Sequence, residues 1–230
     1  MTISIIIPTW NEAENIGPLI RHLQQYADDR LFEIIVSDGG STDDTLDIVR
    51  RTGATALRSP QAGRACQMNY GAAQSKGEIL YFVHADTQPP GSYLDDILKA
   101  VGEGHPMGSY QSCFDTTHPL LRINAWFTRF DFAWCRGGDQ SIFITRRLFE
   151  ELDGYREDYR IMEEYDLIRR ARKSHPFRIL PKATLISARK YEENSYFRVQ
   201  VANLIVFNMF RLGFSQERMV RTYSRLLKYR

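Results

Sequence analysis

Ile79-Leu80-Tyr81-Phe82-Val83-His84-Ala85-Asp86 is an apolar run that stops at a carboxylate. Bounded by Gly77 on one side and Pro89-Pro90-Gly91 on the other, its residues 79–84 read as a strand buried on both faces. Ligands of open α/β sheets gather at the carboxyl ends of strands, so Asp86 stands where a metal or substrate would bind. Two other runs end in the same way. The β-branched stretch Ile3–Thr9 leads into Pro8-Thr9-Trp10-Asn11-Glu12, and the strand at 32–37 leads into Asp38-Gly39-Gly40-Ser41-Thr42-Asp43-Asp44. Three strands with polar, loop-forming endings describe one rim.

Helical patterns separate these strands. Asn11, with Glu14 three residues on, predicts a capped helix over 12–26. Ser41 and Asp44 predict a second helix running to Arg51, and Ala65, Met68 and Ala72 a third over 63–73. A short strand is expected at 55–58 and a helix at 93–102, after the prolines. Strands spaced by helices of this length imply βαβ units and a mostly parallel sheet flanked by helices. Farther on, strands are expected at 107–114 and 141–145, and helices at 146–152 and 163–173. An aromatic segment at 120–134 reads as helical or irregular. The stretch 196–212 is apolar on most faces and must pack against something. The expected organisation is an α/β domain over 1–190 with a C-terminal helical extension over 191–230.

Composition narrows the class. The chain has 230 residues, 43% of them hydrophobic and 25% charged, with 30 Lys and Arg against 28 Asp and Glu. That length buries a sizeable core. A formal charge of +2 is too balanced for a nucleic-acid partner, which needs a concentrated basic face. Cys66, Cys113 and Cys135 lack zinc-like spacing, and their odd number argues against a disulfide framework, so a reducing cytoplasm is expected. Neither a secretory leader nor a run of the roughly 20 apolar residues of a membrane span is evident.

Six segments in this order resemble family 2 glycosyltransferases of the GT-A fold, and a compact single-domain bacterial subgroup of them. They are Ile5-Ile6-Ile7-Pro8-Thr9-Trp10-Asn11-Glu12, Ser37-Asp38-Gly39-Gly40-Ser41-Thr42-Asp43, Gly63-Arg64-Ala65-Cys66-Gln67-Met68-Asn69, His84-Ala85-Asp86, Gly137-Gly138-Asp139-Gln140 and Met162-Glu163-Glu164. The resemblance implies transfer of one sugar from a nucleotide-diphosphate donor, UDP-linked in the first instance, to a hydroxyl acceptor that could be lipid-linked. It implies that Pro8, Thr9, Asn11, Glu12, Asp38, Gly39, Arg64, Gln67, Asn69, His84, Ala85 and Asp86 surround the nucleotide-sugar. Gly138, Asp139 and Gln140 would face the donor sugar or acceptor. Asp86 would hold Mg²⁺ or Mn²⁺, hard cations that take a carboxylate or two plus substrate phosphate oxygens. His84 replaces the first aspartate of the family's DxD and could contact metal, ribose or nothing. The family's base is the second acid of a Glu-Asp pair, so Glu164 takes that place, one methylene longer, with Glu163 as the fallback. The Gln-x-x-Arg-Trp motif of processive synthases is absent, which implies a non-processive enzyme.

Two other classes remain open. A nucleotidyltransferase shares the layout but needs a Gly-rich basic loop after the first strand, where Pro8-Thr9-Trp10-Asn11-Glu12 stands. A non-catalytic nucleotide-sugar-binding protein would keep the donor residues without a working base. Apart from the resemblance, Arg218, Arg221, Arg225 and Lys228 fall within about 80° on a helix, opposite Met219, Val220, Tyr223, Leu226 and Leu227. Such a helix packs its apolar arc on its own domain or lies on an anionic membrane surface at the cell's inner face.

Overall fold

The computed structural model describes residues 1–136 and 140–227. Among them, eight strands form one sheet in the order β3-β2-β1-β4-β7-β6-β8-β5. β1 (Ile3–Thr9), β2 (Leu31–Asp38), β3 (Thr55–Arg58) and β4 (Ile79–Phe82) are mutually parallel. β7 (Ile142–Thr145) runs antiparallel to β4, and β6 (Met107–Phe114) pairs antiparallel with β7 and parallel with β8 (Phe177–Ile186). This is the mixed, mostly parallel α/β architecture of the GT-A fold.

Every residue of β1 is buried because both faces of the sheet are covered. Side chains alternate across the pleat, and the alternation sorts them into two cores. Ile3, Ile5 and Ile7, with Ile79, Tyr81 and Val83, pack on Ile16, Leu19, Ile20 and Leu23 of α1 (Ala13–Gln25) and on α4 (Tyr93–Gly102). Ile6, Leu80 and Phe82 face the other way, onto Ala65, Met68 and Ala72 of α3 (Arg64–Gln74), α6 (Arg146–Glu151) and α7 (Glu163–Ala171). Gly71 lets α3 lie this close: a Cβ there would sit 2.6 Å from Ile6 Cγ2.

Two expectations change in detail. α1 begins at Ala13, and Asn11 does not cap it, because Asn11 adopts a left-handed φ of 53° and turns its side chain toward Thr42. Asp43, from the next loop, instead accepts from the Ala13 amide at 3.1 Å. β8 was not foreseen. Its segment holds Pro181, which argues against a central strand. The register passes from Tyr110↔Leu180 to Gln111↔Ala183, so Pro181 and Lys182 bulge out of the ladder and pairing resumes beyond them. β5 (Thr87–Gln88) then pairs antiparallel with the end of β8.

The C-terminal helices form a third core. Val199, Ala202, Val206 and Phe210 of α9 (Tyr196–Arg211) bury Met219 and Tyr223 of α10 (Gln216–Leu226) together with Ile161. The apolar arc of α10 is therefore covered by its own chain, and the arc open to solvent belongs to α9. Among the described residues, no helix is long and apolar enough to cross a membrane.

Candidate active site

The parallel run puts the carboxyl ends of β1, β2 and β4 on one rim, and antiparallel β7 starts there too. Ile142 pairs with Phe82, so Gln140 and Ser141 stand beside the end of β4. The loops after β1 and β2 are laced together. The Asn11 amide donates to Ser41 Oγ at 2.8 Å, the Glu12 amide to Thr45 Oγ1 at 2.9 Å, and the Thr42 amide to Asn11 Oδ1 at 2.9 Å. Glu12 keeps one carboxylate oxygen on Asn15 at 2.6 Å and the other 3.5 Å from Arg189.

Several residues expected at the nucleotide serve first as framework. Asp38 is fully buried; Oδ2 accepts from the amides of Gly40 and Ser41, each at 2.9 Å, and Oδ1 accepts from the Ser41 hydroxyl. Its charge fixes its own turn. Gln67 lies beneath the rim and donates to the carbonyls of Thr9 at 2.6 Å and Ser37 at 2.9 Å, tying the ends of β1 and β2. Gly39 leaves room for that amide, since a Cβ there would come within 3.0 Å of it. Asn69 pairs with both backbone groups of Tyr155 at 2.8 and 2.9 Å, holding the loop that leads toward α7. Pro8 and Thr9, buried at the end of β1, and Ala85 form the wall of the rim.

β4 ends two residues earlier than the 79–84 strand expected, so His84-Ala85-Asp86 form the turn into β5. The Asp86 carbonyl accepts from the Ser187 amide at 3.1 Å, which anchors this turn to the end of β8. Asp86 borders a depression of about 200 Å³ shared with Asn15, Asp115 and Ser187. His84 points the other way, to Glu164: its Nε2 lies 2.7 Å from Glu164 Oε1, with both residues buried. The sequence reading considered metal, ribose or no contact for His84, and Glu164 was not among them. Proximity of positions 84 and 164 is a tertiary fact without a local signal.

α7 delivers the two acids. Met162 precedes it with a left-handed φ of 66°, a conformation that a non-glycine residue adopts only when its surroundings impose it. Ile161, Tyr165 and the α9–α10 pair supply those surroundings. Glu163 is fully buried, and Arg64 Nε lies 2.8 Å from its Oε1. The contact is an ion pair without hydrogen-bond alignment, because among the described residues neither Glu163 oxygen accepts an aligned bond. Burial raises the Glu163 carboxyl above its ordinary value of 4.5, against the opposing pull of the Arg64 guanidinium. Arg64, expected at the pyrophosphate, thus reaches the start of α7.

Sequence reading missed Arg170, one face farther along α7. It donates to Asp166 Oδ2 at 2.7 Å, to the Gly154 carbonyl at 2.7 Å and to the Leu152 carbonyl. The i,i+4 spacing of Asp166 and Arg170 was the available signal. Gln140 is buried and donates to the Cys135 carbonyl at 3.0 Å; Gly138 and Asp139 lie outside the described residues.

Among the described residues, no group of three or more His, Cys, Asp or Glu side chains could hold a metal ion. A site with two carboxylates, Asp86 and Asp115, of which Asp115 already accepts from the Ala188 amide, suits a cation whose remaining ligands are diphosphate oxygens and water, not a cation caged by protein. His84 Nε2, the neighbouring donor atom, is engaged by Glu164.

The chain matches glycosyl transferase family 2 over residues 4–162. An undecaprenyl-phosphate 4-deoxy-4-formamido-L-arabinose transferase of Pseudomonas syringae is 30% identical over 113 residues, 45% of this chain and 33% of that protein. A dolichol-phosphate mannosyltransferase of Pyrococcus furiosus is 26% identical over 109 residues, 45% of this chain and 31% of its own. The chain thus spans about a third of the length of these curated relatives. In fold it is similar to glucosyl-3-phosphoglycerate synthase from Mycobacterium tuberculosis, solved with Mn²⁺, UDP and glucosyl-3-phosphoglycerate. That likeness has a TM-score of 0.67 at 19% identity, covering 93% of this chain and 80% of the other. Staphylococcus aureus TarS gives 0.67 at 18% identity, covering 98% and 70%. With residues 4–162 matched, well over half of its length, the chain belongs to glycosyl transferase family 2.

Proposed function

We propose that this protein transfers one sugar from a nucleotide-diphosphate donor, UDP-linked, to a hydroxyl acceptor, by a single inverting displacement without processivity. The observation that carries the reading is the buried contact of Glu164 with His84, two residues before Asp86 on the rim. An acid held at the mouth of a donor rim, with one oxygen fixed by an imidazole, is an arrangement suited to a general base. With His84 donating to Oε1, Glu164 Oε2 takes the acceptor's hydroxyl proton. The hydroxyl oxygen then bonds to the anomeric carbon from the face opposite the diphosphate. The bond to the diphosphate oxygen breaks, and the nucleoside diphosphate leaves with its electron pair.

Asp86 would hold Mg²⁺ or Mn²⁺, which supplies charge neutralisation to the departing diphosphate. Arg64 and Glu12 border the nucleotide, and Asp38 shapes the turn beside it. The structural likeness to a synthase solved with Mn²⁺ and UDP supports the metal and a UDP-linked donor, and the lipid-phosphate transferase relatives support a lipid-linked acceptor.

The test is calorimetric titration of UDP, GDP and ADP with Mn²⁺ and with EDTA, followed by turnover of UDP-sugars. Metal-dependent binding of UDP alone, with turnover lost in Glu164→Gln, is the expected result. Binding without turnover in the wild type would make the protein a nucleotide-sugar-binding relative, and no nucleotide binding would overturn the reading.

A further inference from the structure

α9 is apolar on most of its faces, with exposed Asn208 the one polar residue within its solvent-facing arc, and half of it faces water. At 100° per residue, Phe197, Val201, Leu204, Ile205 and Leu212 fall within a 100° arc, opposite the buried Val199, Ala202, Val206 and Phe210. Phe197 is 70% exposed, Leu204 62% and Leu212 76%. The stripe is about 22 Å long at 1.5 Å per residue. Exposed Arg198 and Arg211 flank it on either side of the arc.

α5 (Pro119–Phe127) extends this surface. It is joined to α9 where Tyr196 Oη donates to Asn124 Oδ1 at 2.8 Å and Tyr196 stacks on His118. Ile123, Trp126 and Phe127 are exposed on it, and Phe132 and Trp134 stack at 5.9 Å just beyond. Arg129 lies over the Trp126 ring at 5.0 Å. The sequence holds no Asp or Glu over 116–130 or 194–216, while those segments carry Arg122, Arg129, Arg198 and Arg211. Of the four carboxylates that bound these segments, Asp131 and Glu217 are paired with Arg172 and Arg221, Asp115 accepts from the Ala188 amide, and Glu193 is the fourth.

We propose that the joined faces of α5 and α9 dock this protein on an anionic lipid bilayer. Large apolar side chains edged by tryptophan and arginine match the boundary between acyl chains and headgroups: the chains enter, the rings sit at the carbonyl level, and the guanidinium groups reach phosphate. Charge selects this occupant over a second copy of the chain. A two-fold interface presents the same patch to itself, so acid-free cationic margins would oppose cationic margins. The surface differs from the basic arc of α10, whose apolar side is already covered. Tyr165, next to Glu164, packs on Phe207 and Phe210 of α9, so docking would hold the rim close to lipid. The inference rests on the surface alone and stands or falls independently of the transfer chemistry.

The test is co-sedimentation of the full chain with vesicles of phosphatidylcholine, and of phosphatidylcholine mixed equally with phosphatidylglycerol. Binding to the mixed vesicles only, weakened by salt, is expected. Phe197→Glu with Leu204→Glu abolishes it, and Arg198→Glu with Arg211→Glu weakens it about tenfold or more, at about 1 kcal/mol per basic residue near the surface. Phe197, Leu204 and Arg211 are exposed, so melting should be unchanged in the Phe197→Glu with Leu204→Glu pair and in Arg211→Glu alone. Arg198 also donates to the Leu226 carbonyl, so Arg211→Glu alone reads the charge without loosening α9 from α10. A readout without substitution is quenching of wild-type tryptophan fluorescence by lipids brominated in the acyl chain, expected because Trp126 and Trp134 enter the interface. Failure to bind either vesicle, binding that survives the glutamate pair, or absence of quenching overturns the proposal. So does a dimer in velocity sedimentation that Leu204→Glu splits while vesicles are ignored.

Discussion

Glu163 and Glu164 are adjacent in sequence and buried together, yet their surroundings differ. Glu164 meets an imidazole at 2.7 Å; Glu163 meets a guanidinium at 2.8 Å and is fully enclosed. Two acids with two partners have two roles, which single substitutions separate. Glu164→Gln keeps shape and removes the proton acceptor, so turnover of a UDP-sugar should fall about 10²- to 10⁴-fold with UDP affinity unchanged. Asp86→Asn should instead abolish the difference in UDP affinity between Mn²⁺ and EDTA, read by calorimetry. Glu163 acts through stability. Its carboxyl is raised above 4.5 by burial, so the native chain holds this proton more tightly than the unfolded chain does. The stabilisation is complete below 4.5 and is lost as pH rises through the raised native value. Glu163→Gln cannot ionise. The melting temperature of the variant minus that of wild type should therefore grow with pH, and a difference that stays flat would refute this.

At the scale of elements, the standoff between α3 and the sheet is set by a missing methyl group. The Cβ of an alanine at position 71 would lie 2.6 Å from Ile6 Cγ2, so Gly71→Ala forces α3 outward and should cost about 1–3 kcal/mol. Ile6→Ala alone leaves a cavity and should cost about 2–5 kcal/mol. The double variant should cost less than the sum, because each change relieves the other, and chemical denaturation of the cycle measures that coupling. Arg170 is a second element-scale device. It joins α7 to the carbonyls of Leu152 and Gly154 while neutralising buried Asp166. Arg170→Met leaves Asp166 with Arg169 at 2.9 Å, a half-exposed partner, and should cost about 2 kcal/mol or more in unfolding free energy. Of these two devices, the helix-spaced alanines showed that α3 packs, whereas the loop that Arg170 ties lies 16 and 18 residues away and had no local mark.

At the scale of the whole molecule, the parallel strands of the first half and the polar ending of each were legible in the sequence, whereas the order of the eight strands across the sheet was not. The continuous β-branched run Ile3–Thr9 and the apolar run at 79–83 made strands, and the intervening helical spacing made them parallel, so the rim followed. The sequence also determined the family, because six short segments kept their order. What it could not carry were the relations between distant positions. β8 was hidden by Pro181, since a proline is an obstacle until a partner strand shows where the ladder skips it. Asp38 and Gln67 carry the framework bonds of the rim as well as the expected place at the ligand, and the sequence did not show the former, since a polar side chain after a strand has the same letter whether it faces a ligand or a carbonyl. The pairing of His84 with Glu164 spans 80 residues and exists only because α7 is set down against the end of β4. The two faces of α9 were indistinguishable by pattern, its residues being apolar on both. Composition and periodicity are properties of neighbours along the chain, and they determined the sheet. Which polar atom meets which, and which apolar face is left to solvent, depends on contacts that only the closed structure makes.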